Sequence, residues 1–303
     1  MMSEQSHAAA HGAPPSASPA CEPRPVGTVA IVVLTHSRVH LLRQCVENVL
    51  ARASERTTEI VIWDNASTDE TRDYLDSLLD PRLRVIHHER NIGQNAYDAA
   101  FALTSAAYLI ELDDDMIDAP AHWDEQLLDA FRRLPDVGFL SANLVDNPLD
   151  ATARIMYGRN LRLYRLVERH GVRLKVGGPT GGGCSITSRT LYDRVGGFGQ
   201  NEEFVFFHED AAYADKVKRL GFEVAYLNDL EVFHAGGEHY AEIGPEKRRY
   251  YDLRDKRVRR KETVKRSLLR IPFLARLNER YEWFYPPGAE WSPAKRRTRP
   301  NRR

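Results

Sequence analysis

Tyr108-Leu109-Ile110-Glu111-Leu112-Asp113-Asp114-Asp115 is the stretch on which the fold turns. Residues 108–112 have the length and apolar character of a buried strand, and they run straight into three consecutive carboxylates. Pro120 starts a new element, which the apolar spacing predicts to be a helix over 123–134. Clustered acids at a strand end repel one another and raise each other's pKa. A hard divalent cation relieves that repulsion and keeps positions open for substrate phosphates. A solvated acidic turn is the plainer reading, since Asp is common where strands stop. The surrounding chain decides between them.

Upstream, residues 29–34 form a continuous apolar, β-branched run, as in a buried parallel strand, and end in Thr35-His36-Ser37-Arg38. Leu41, Leu42, Cys45, Val46, Val49 and Leu50 then recur at helical spacing. A second strand over 59–63 leads into Asp64-Asn65-Ala66-Ser67-Thr68-Asp69, where Ser67 or Thr68 is expected to cap the helix carrying Tyr74, Leu75 and Leu78. A third strand over 83–87 and a helix over 94–104 complete the approach to Tyr108. Strands alternating with helices predict βαβ units: an α/β fold with a Rossmann-like, mostly parallel sheet and helices on both faces. Ligands of such sheets bind at the carboxyl ends of the strands. Thr35 to Arg38, Asp64-Asn65, Asn91 and Asp113 to Asp115 all fall on that edge.

Downstream the pattern loosens. Residues 137–144 read as a fifth strand, 154–176 as a hairpin or flap, and 222–227 and 230–233 as two further strands. Gly181-Gly182-Gly183 lets backbone approach a ligand closely, although a turn would also use it. His208-Glu209-Asp210 opens a helix that Gly221 ends, and His234 leaves the last strand.

With 43 basic and 43 acidic residues, the net charge is zero but unevenly spread. From Glu246 onward there are 20 Lys+Arg against 7 Asp+Glu, an excess of 13 that the preceding residues balance. A basic end on an acidic body suggests an anionic partner, with a solvated helix packed on that body as the plain alternative. Cys21, Cys45 and Cys184 lie far apart with no paired metal spacing, so neither a disulfide framework nor a zinc site is signalled. No run of about 18 apolar residues exists to span a membrane. Residues 1–26, rich in Ala, Pro and Ser, read as a disordered leader without a secretion signal, so the expected compartment is the cytoplasm. The expected organisation is completed by a main domain over 27–245, a basic helical extension over 246–285 and a basic disordered tail over 286–303.

The motifs in this order resemble the inverting glycosyltransferases of family 2, non-processive bacterial type, which have the GT-A fold. The resemblance covers about two-thirds of the chain. It rests on Thr35 to Arg38, Asp64 to Asp69, Asn91-Ile92-Gly93, Asp113 to Asp115 with Pro120 beyond, the glycines before Cys184, Glu209-Asp210 and His234; Tyr250-Tyr251 with Arg254 adds a further likeness. Two features depart from the pattern: Ala212 stands where many members carry another acid, and Gln94 to Asp98 follow the Asn-x-Gly segment in place of small residues. Both bear on donor-sugar identity more than on reaction class.

The resemblance implies a nucleotide-sugar donor and a divalent cation, Mg²⁺ or Mn²⁺. Asp115 would be the most direct ligand, with Asp113 beside it and His234 completing the shell or meeting the diphosphate. Asp64 would accept from the imide N–H of a uracil or thymine, while Thr35, Arg38, Asn91 and Asp114 line the nucleotide. Asp210 would be the general base, aided by Glu209. Each residue has a structural alternative. Asp64 could cap a helix, Arg38 could be solvated, Asn91 could make a local turn, Glu209 and Asp210 could favour a helix dipole, and His234 could be a packing residue. His36, His87, His88 and His208 are given no role. Two other function classes stay open: a sugar-phosphate nucleotidyltransferase, which would want a basic Gly-rich loop after the first strand, and a catalytically silent binding module acting through the basic tail. The acceptor is expected to be a hydroxyl on a glycan, lipid-linked or secondary-metabolite molecule. The basic segment would then touch the inner face of an anionic membrane; a nucleic-acid patch is the less favoured reading.

Overall fold

The computed structural model describes residues 27–146, 164–178, 181–201, 208–235, 264, 267, 268 and 270–281. The sequence's leader, residues 154–163 of the flap, Phe204 to Phe207, Tyr250-Tyr251 with Arg254, and the basic segments at 247–263 and 286–303 lie outside them.

The first half builds as the apolar pattern requires. Strand β1 (Val29–Thr35), helix α1 (Val39–Arg52), β2 (Thr57–Asp64), α2 (Thr71–Asp76), β3 (Leu83–His87), α3 (Ala96–Phe101) and β4 (Tyr108–Asp113) alternate. They give parallel strands in the order β3-β2-β1-β4. Beyond them come β5 (Met116–Asp118), α4 (Trp123–Arg133), β6 (Val137–Asp146), β7 (Arg165–Arg169), β8 (Val172–Val176) and β9 (Cys184–Ser188). The chain continues through α5 (Arg189–Val195), α6 (Glu209–Arg219), β10 (Glu223–His234) and α7 (Pro272–Tyr281). The sheet carries on from β4 as β9-β6-β10-β8-β7, with β5 against β10. Strand β6 runs parallel to β10, whereas β9 is antiparallel to both β4 and β6, and β7–β8 form an antiparallel hairpin on β10.

Two apolar layers cover the faces. One packs α1, α2 and α4 on Val29, Ile31, Ile60, Ile110 and Leu140; the other packs α3, α5 and α6 on Ala30, Val32, Leu109 and Phe139. The alternation along each strand assigns its residues to these two cores. Among the described residues, no helix is long and apolar enough to cross a membrane.

Two local expectations need correction, and one short strand was not foreseen. The two strands expected over 222–233 are one, β10, which absorbs the interruption as a register shift between Leu227 and Glu231. Neither Ser67 nor Thr68 caps α2. That helix starts at Thr71, whose N–H reaches Asp69 Oδ1, while Ser67 Oγ accepts from Ser37 N and Thr68 N donates to Ser37 Oγ. The segment after Asp115 is not simply a turn into a helix, because 116–118 fold back as β5.

Candidate active site

The site lies where β1, β2, β4 and β10 end. Parallel register sets Thr35 beside Asp64 and Leu34 beside Asp113, so the sequence motifs meet because their strands stop together. The loops after β1 and β2 both turn through left-handed residues, Ser37 at φ 50° and Ala66 at φ 59°. The reciprocal hydrogen bonds between Ser37 and the Ser67-Thr68 pair hold these turns (2.8 and 3.0 Å). Asp64 is fully buried: Oδ1 accepts from Ser67 N at 2.8 Å and Oδ2 faces His87 Nδ1 at 2.9 Å. A carboxylate has about four lone-pair positions, so acceptor capacity remains beyond those two bonds. Asn91 serves a local turn, its Oδ1 accepting from Gly93 N at 2.8 Å.

The three acids divide by direction. Asp114 is enclosed and turns toward the first loop, accepting from Thr35 Oγ1 at 2.8 Å and from Nε and Nη2 of Arg38. Arg38 also reaches Asp115 Oδ2 through Nη1 at 3.4 Å. On the other side, Asp115 Oδ1 lies 3.2 Å from His234 Nε2. The fold-back of β5 creates that pair. His234 registers with Met116, and Ala235 N donates to the Asp115 carbonyl at 2.8 Å. Asp113, the least buried of the three, joins Asp115 and His234 in a cluster whose candidate ligand atoms all fall within 4.8 Å of one another.

The electrostatics are those of a site short of positive charge. Burial and then the Asp115 carboxylate push Asp113 up to about 7. Burial also raises Asp114, against the pull of Arg38. For Asp115 the burial penalty is outweighed by His234 and Arg38, which hold it below the usual carboxylate range. For His234, burial opposes the charge but Asp115 and Asp113 prevail and raise it to about 9. Neighbouring ligands on an octahedral cation with bonds of about 2.1 Å stand roughly 3 Å apart. Asp115 and His234, an ion pair at 3.2 Å, are close enough to ligate one ion together, and the Asp-Asp-His donor set suits Mg²⁺ or Mn²⁺.

Opposite the acids, the glycine segment is tied down residue by residue. Gly181 N donates to Tyr226 Oη (2.6 Å), and its carbonyl accepts from Ser141 Oγ (2.9 Å). Gly182 N donates to Asp210 Oδ2 (2.6 Å), and Asp113 N donates to the Gly183 carbonyl (2.9 Å). Gly182 has no room for a side chain: a Cβ would stand 2.3 Å from Glu111 Oε1 and 3.0 Å from Asp210 Cβ. One loop thus links the metal-ligand candidate Asp113 to the base candidate Asp210. Glu209 and Asp210 occupy the first turn of α6, where a carboxylate meets the positive end of the helix.

Four residues with no sequence-based role matter here. Glu111 is buried two residues before Asp113. Burial, then Glu209, Asp210 and Asp113, push its carboxyl well above the ordinary range. His87 bridges Asp64 and Asp76 Oδ1 (3.0 Å). Asp98 accepts from Tyr192 Oη, Phe198 N and Gly199 N, and Asn95 exchanges bonds with Asn201. The unusual Gln94 to Asp98 segment is thus a clamp on the 197–201 loop before α6. An acid in an apolar strand was the available signal for Glu111, and the departure from the family pattern over Gln94 to Asp98 was the signal for Asn95 and Asp98; nothing local marks His87.

This constellation on a mixed sheet is the GT-A architecture, and comparison with known proteins agrees. The family described as "Glycosyl transferase family 2" matches residues 30–196, over half of the chain. The chain belongs to that family. It is 25% identical over 240 residues to "Uncharacterized protein y4gI" of Sinorhizobium fredii (strain NBRC 101917 / NGR234), covering 73% of this chain but 26% of that protein. Among solved structures it is similar to the mannosyltransferase PcManGT from Pyrobaculum calidifontis, in complex with GDP-Man and Mn²⁺: 21% identity, TM-score 0.50, 72% of this chain and 60% of that one. S. aureus TarS 1-349, in complex with UDP-GlcNAc, gives 14% identity, TM-score 0.53, and 71% and 61% coverage. The chain spans about a quarter of the curated relative's length and less than two-thirds of either structure.

Proposed function

We propose that the chain is a metal-dependent, inverting glycosyltransferase that moves one sugar from a UDP- or dTDP-sugar to an acceptor hydroxyl. The observation that carries this reading is the pairing of the Asp113–Asp115–His234 cluster with Asp210 through one glycine loop. Asp113, Asp115 and His234 would hold the cation, which supplies Lewis-acid stabilisation of the departing diphosphate. Arg38 sets the charge of Asp114 and Asp115, Thr35 fixes Asp114, and Asp64 and Asn91 stand at the nucleotide end. Asp210 takes the acceptor's hydroxyl proton, with Glu209 beside it. The acceptor oxygen then forms its bond to the anomeric carbon as the bond to the diphosphate oxygen breaks, and the diphosphate leaves with that electron pair. The sheet-edge loop after β1 turns Ser37 to Ser67 and Arg38 to Asp114, which argues against the phosphate cradle a nucleotidyltransferase needs.

The carboxyl-terminal part supports a peripheral contact with an anionic membrane. Helix α7 and its approach expose Ile271 and Phe273, and the chain from Glu246 onward holds the basic excess. A thermal-shift panel of UDP-, dTDP- and GDP-sugars with and without Mn²⁺ tests the donor class. Selective, metal-dependent stabilisation by a uracil or thymine nucleotide is expected. Stabilisation by nucleoside triphosphates alone would favour nucleotidyl transfer instead.

A further inference from the structure

His87 stands at the outer edge of the site, on β3, in register with Asp64 on β2. Its ring joins two carboxylates: Nδ1 lies 2.9 Å from Asp64 Oδ2, and Nε2 lies 3.0 Å from Asp76 Oδ1. Each ring nitrogen faces a carboxylate oxygen, and a carboxylate only accepts. Asp76 is the last residue of α2, where the helix dipole disfavours an acid and solvent is open to it. Helix energetics therefore give no reason for that carboxylate; facing His87 does. At the other end of the bridge, Asp64 is wholly buried, and Ser67 N occupies its second oxygen. These contacts fix the rotation of the Asp64 carboxylate about its last bond. They also leave a defined direction for further acceptance.

We infer that His87 is a positioning residue for nucleobase reading: anchored outside by Asp76, it holds the Asp64 carboxylate in the orientation that accepts the imide N–H of uracil or thymine. This rests on the reading of Asp64 given above. A donor that orients a buried acceptor changes how tightly the base is held, not how fast the glycosidic bond breaks. The consequence is a split between donor affinity and turnover.

The ring's two nitrogens can be replaced one at a time. In His87→Asn the amide nitrogen falls near the Nδ1 position and can still reach Asp64. In His87→Gln it falls near Nε2 and can reach only Asp76. Binding of UDP and dTDP with Mn²⁺ to the full chain is measured by calorimetry, with melting temperature as the folding control and donor hydrolysis at saturating sugar nucleotide as the turnover readout. His87→Ala and His87→Gln are expected to weaken nucleotide binding about tenfold, the size of one lost charge-assisted hydrogen bond, with saturated turnover within about twofold of wild type. His87→Asn should recover binding. Unchanged binding in His87→Ala, or His87→Asn no better than His87→Gln, overturns the inference. Asp64→Asn separates the two layers: if it weakens binding while His87→Ala does not, only the positioning role fails. If Asp64→Asn also binds as wild type, the base-reading role of Asp64 has failed, and this inference with it.

Discussion

Substituting Gly182 by Ala tests whether the glycine loop aligns Asp210 for proton transfer. The added Cβ would sit 2.3 Å from Glu111 Oε1 and 3.0 Å from Asp210 Cβ, well inside normal contact. Glu111 is buried and its strand is central, so the loop must give way. Overpacking of this kind costs about 1–3 kcal/mol of stability. Displacing Gly182 also breaks its 2.6 Å bond to Asp210, a hydrogen bond to a charged group worth about 1.5–3 kcal/mol. If that bond aligns the base, saturated turnover should fall by about 10- to 100-fold. Binding of nucleotide with Mn²⁺ should stay within about threefold, because the loop's tie to Asp113 is a separate bond. Gly196→Ala is the control. Its φ of 73° is strained for Ala, yet a Cβ there meets nothing within 4 Å, so it should cost stability and leave turnover unchanged. Were Gly182→Ala to turn over normally, or to lose nucleotide binding in proportion to rate, the loop would not be what aligns Asp210.

Metal affinity should depend on pH with a definite sign. Binding needs Asp113 ionised and His234 neutral, whereas these groups hold protons up to about 7 and about 9 respectively. Two protons are therefore displaced below about pH 7 and one between about 7 and 9, so Mn²⁺ affinity should rise about 100-fold and then about tenfold per pH unit before levelling. Electron paramagnetic resonance titration of free Mn²⁺ measures this, and a flat profile over pH 6–8 would contradict the ligand set. Arg38→Leu leaves the enclosed Asp114 with Thr35 alone. Because the Arg38 side chain is 29% exposed, the expected loss is trimmed to about 2–3 kcal/mol in urea unfolding, and adding Asp114→Asn should recover most of it.

What the residues disclosed and what they hid follows from the range of each interaction. Strands β1, β2 and β4 were legible because their parallel, doubly covered core demands apolar runs, and Asp64 and Asp113 mark where β2 and β4 stop. Asp113, Asp115 and His234 could each be named, but the reason they meet could not be read. It depends on β5, three residues whose pairing with β10 spans more than a hundred residues of sequence. The antiparallel course of β9 was equally hidden, since five residues alternating apolar and hydroxyl side chains look the same in either direction. The inward turn of Asp114 toward Arg38 and Thr35 separates it from its two neighbours, a distinction that three identical letters cannot carry. The contacts of Asp98 and His87 could not be read because their partners, Phe198 and Asp64, lie far away along the chain.

The most direct trial of the account is sugar-nucleotide turnover in excess chelator, followed by titration with Mn²⁺, on the wild-type chain and on a variant with Asp113 and Asp115 both replaced by Ala. Turnover should vanish with chelator and return with Mn²⁺ in the wild type, and should not return at any Mn²⁺ concentration in the variant. Full-rate turnover in chelator, or in the variant, would contradict a cation held by Asp113, Asp115 and His234 as the centre of this site.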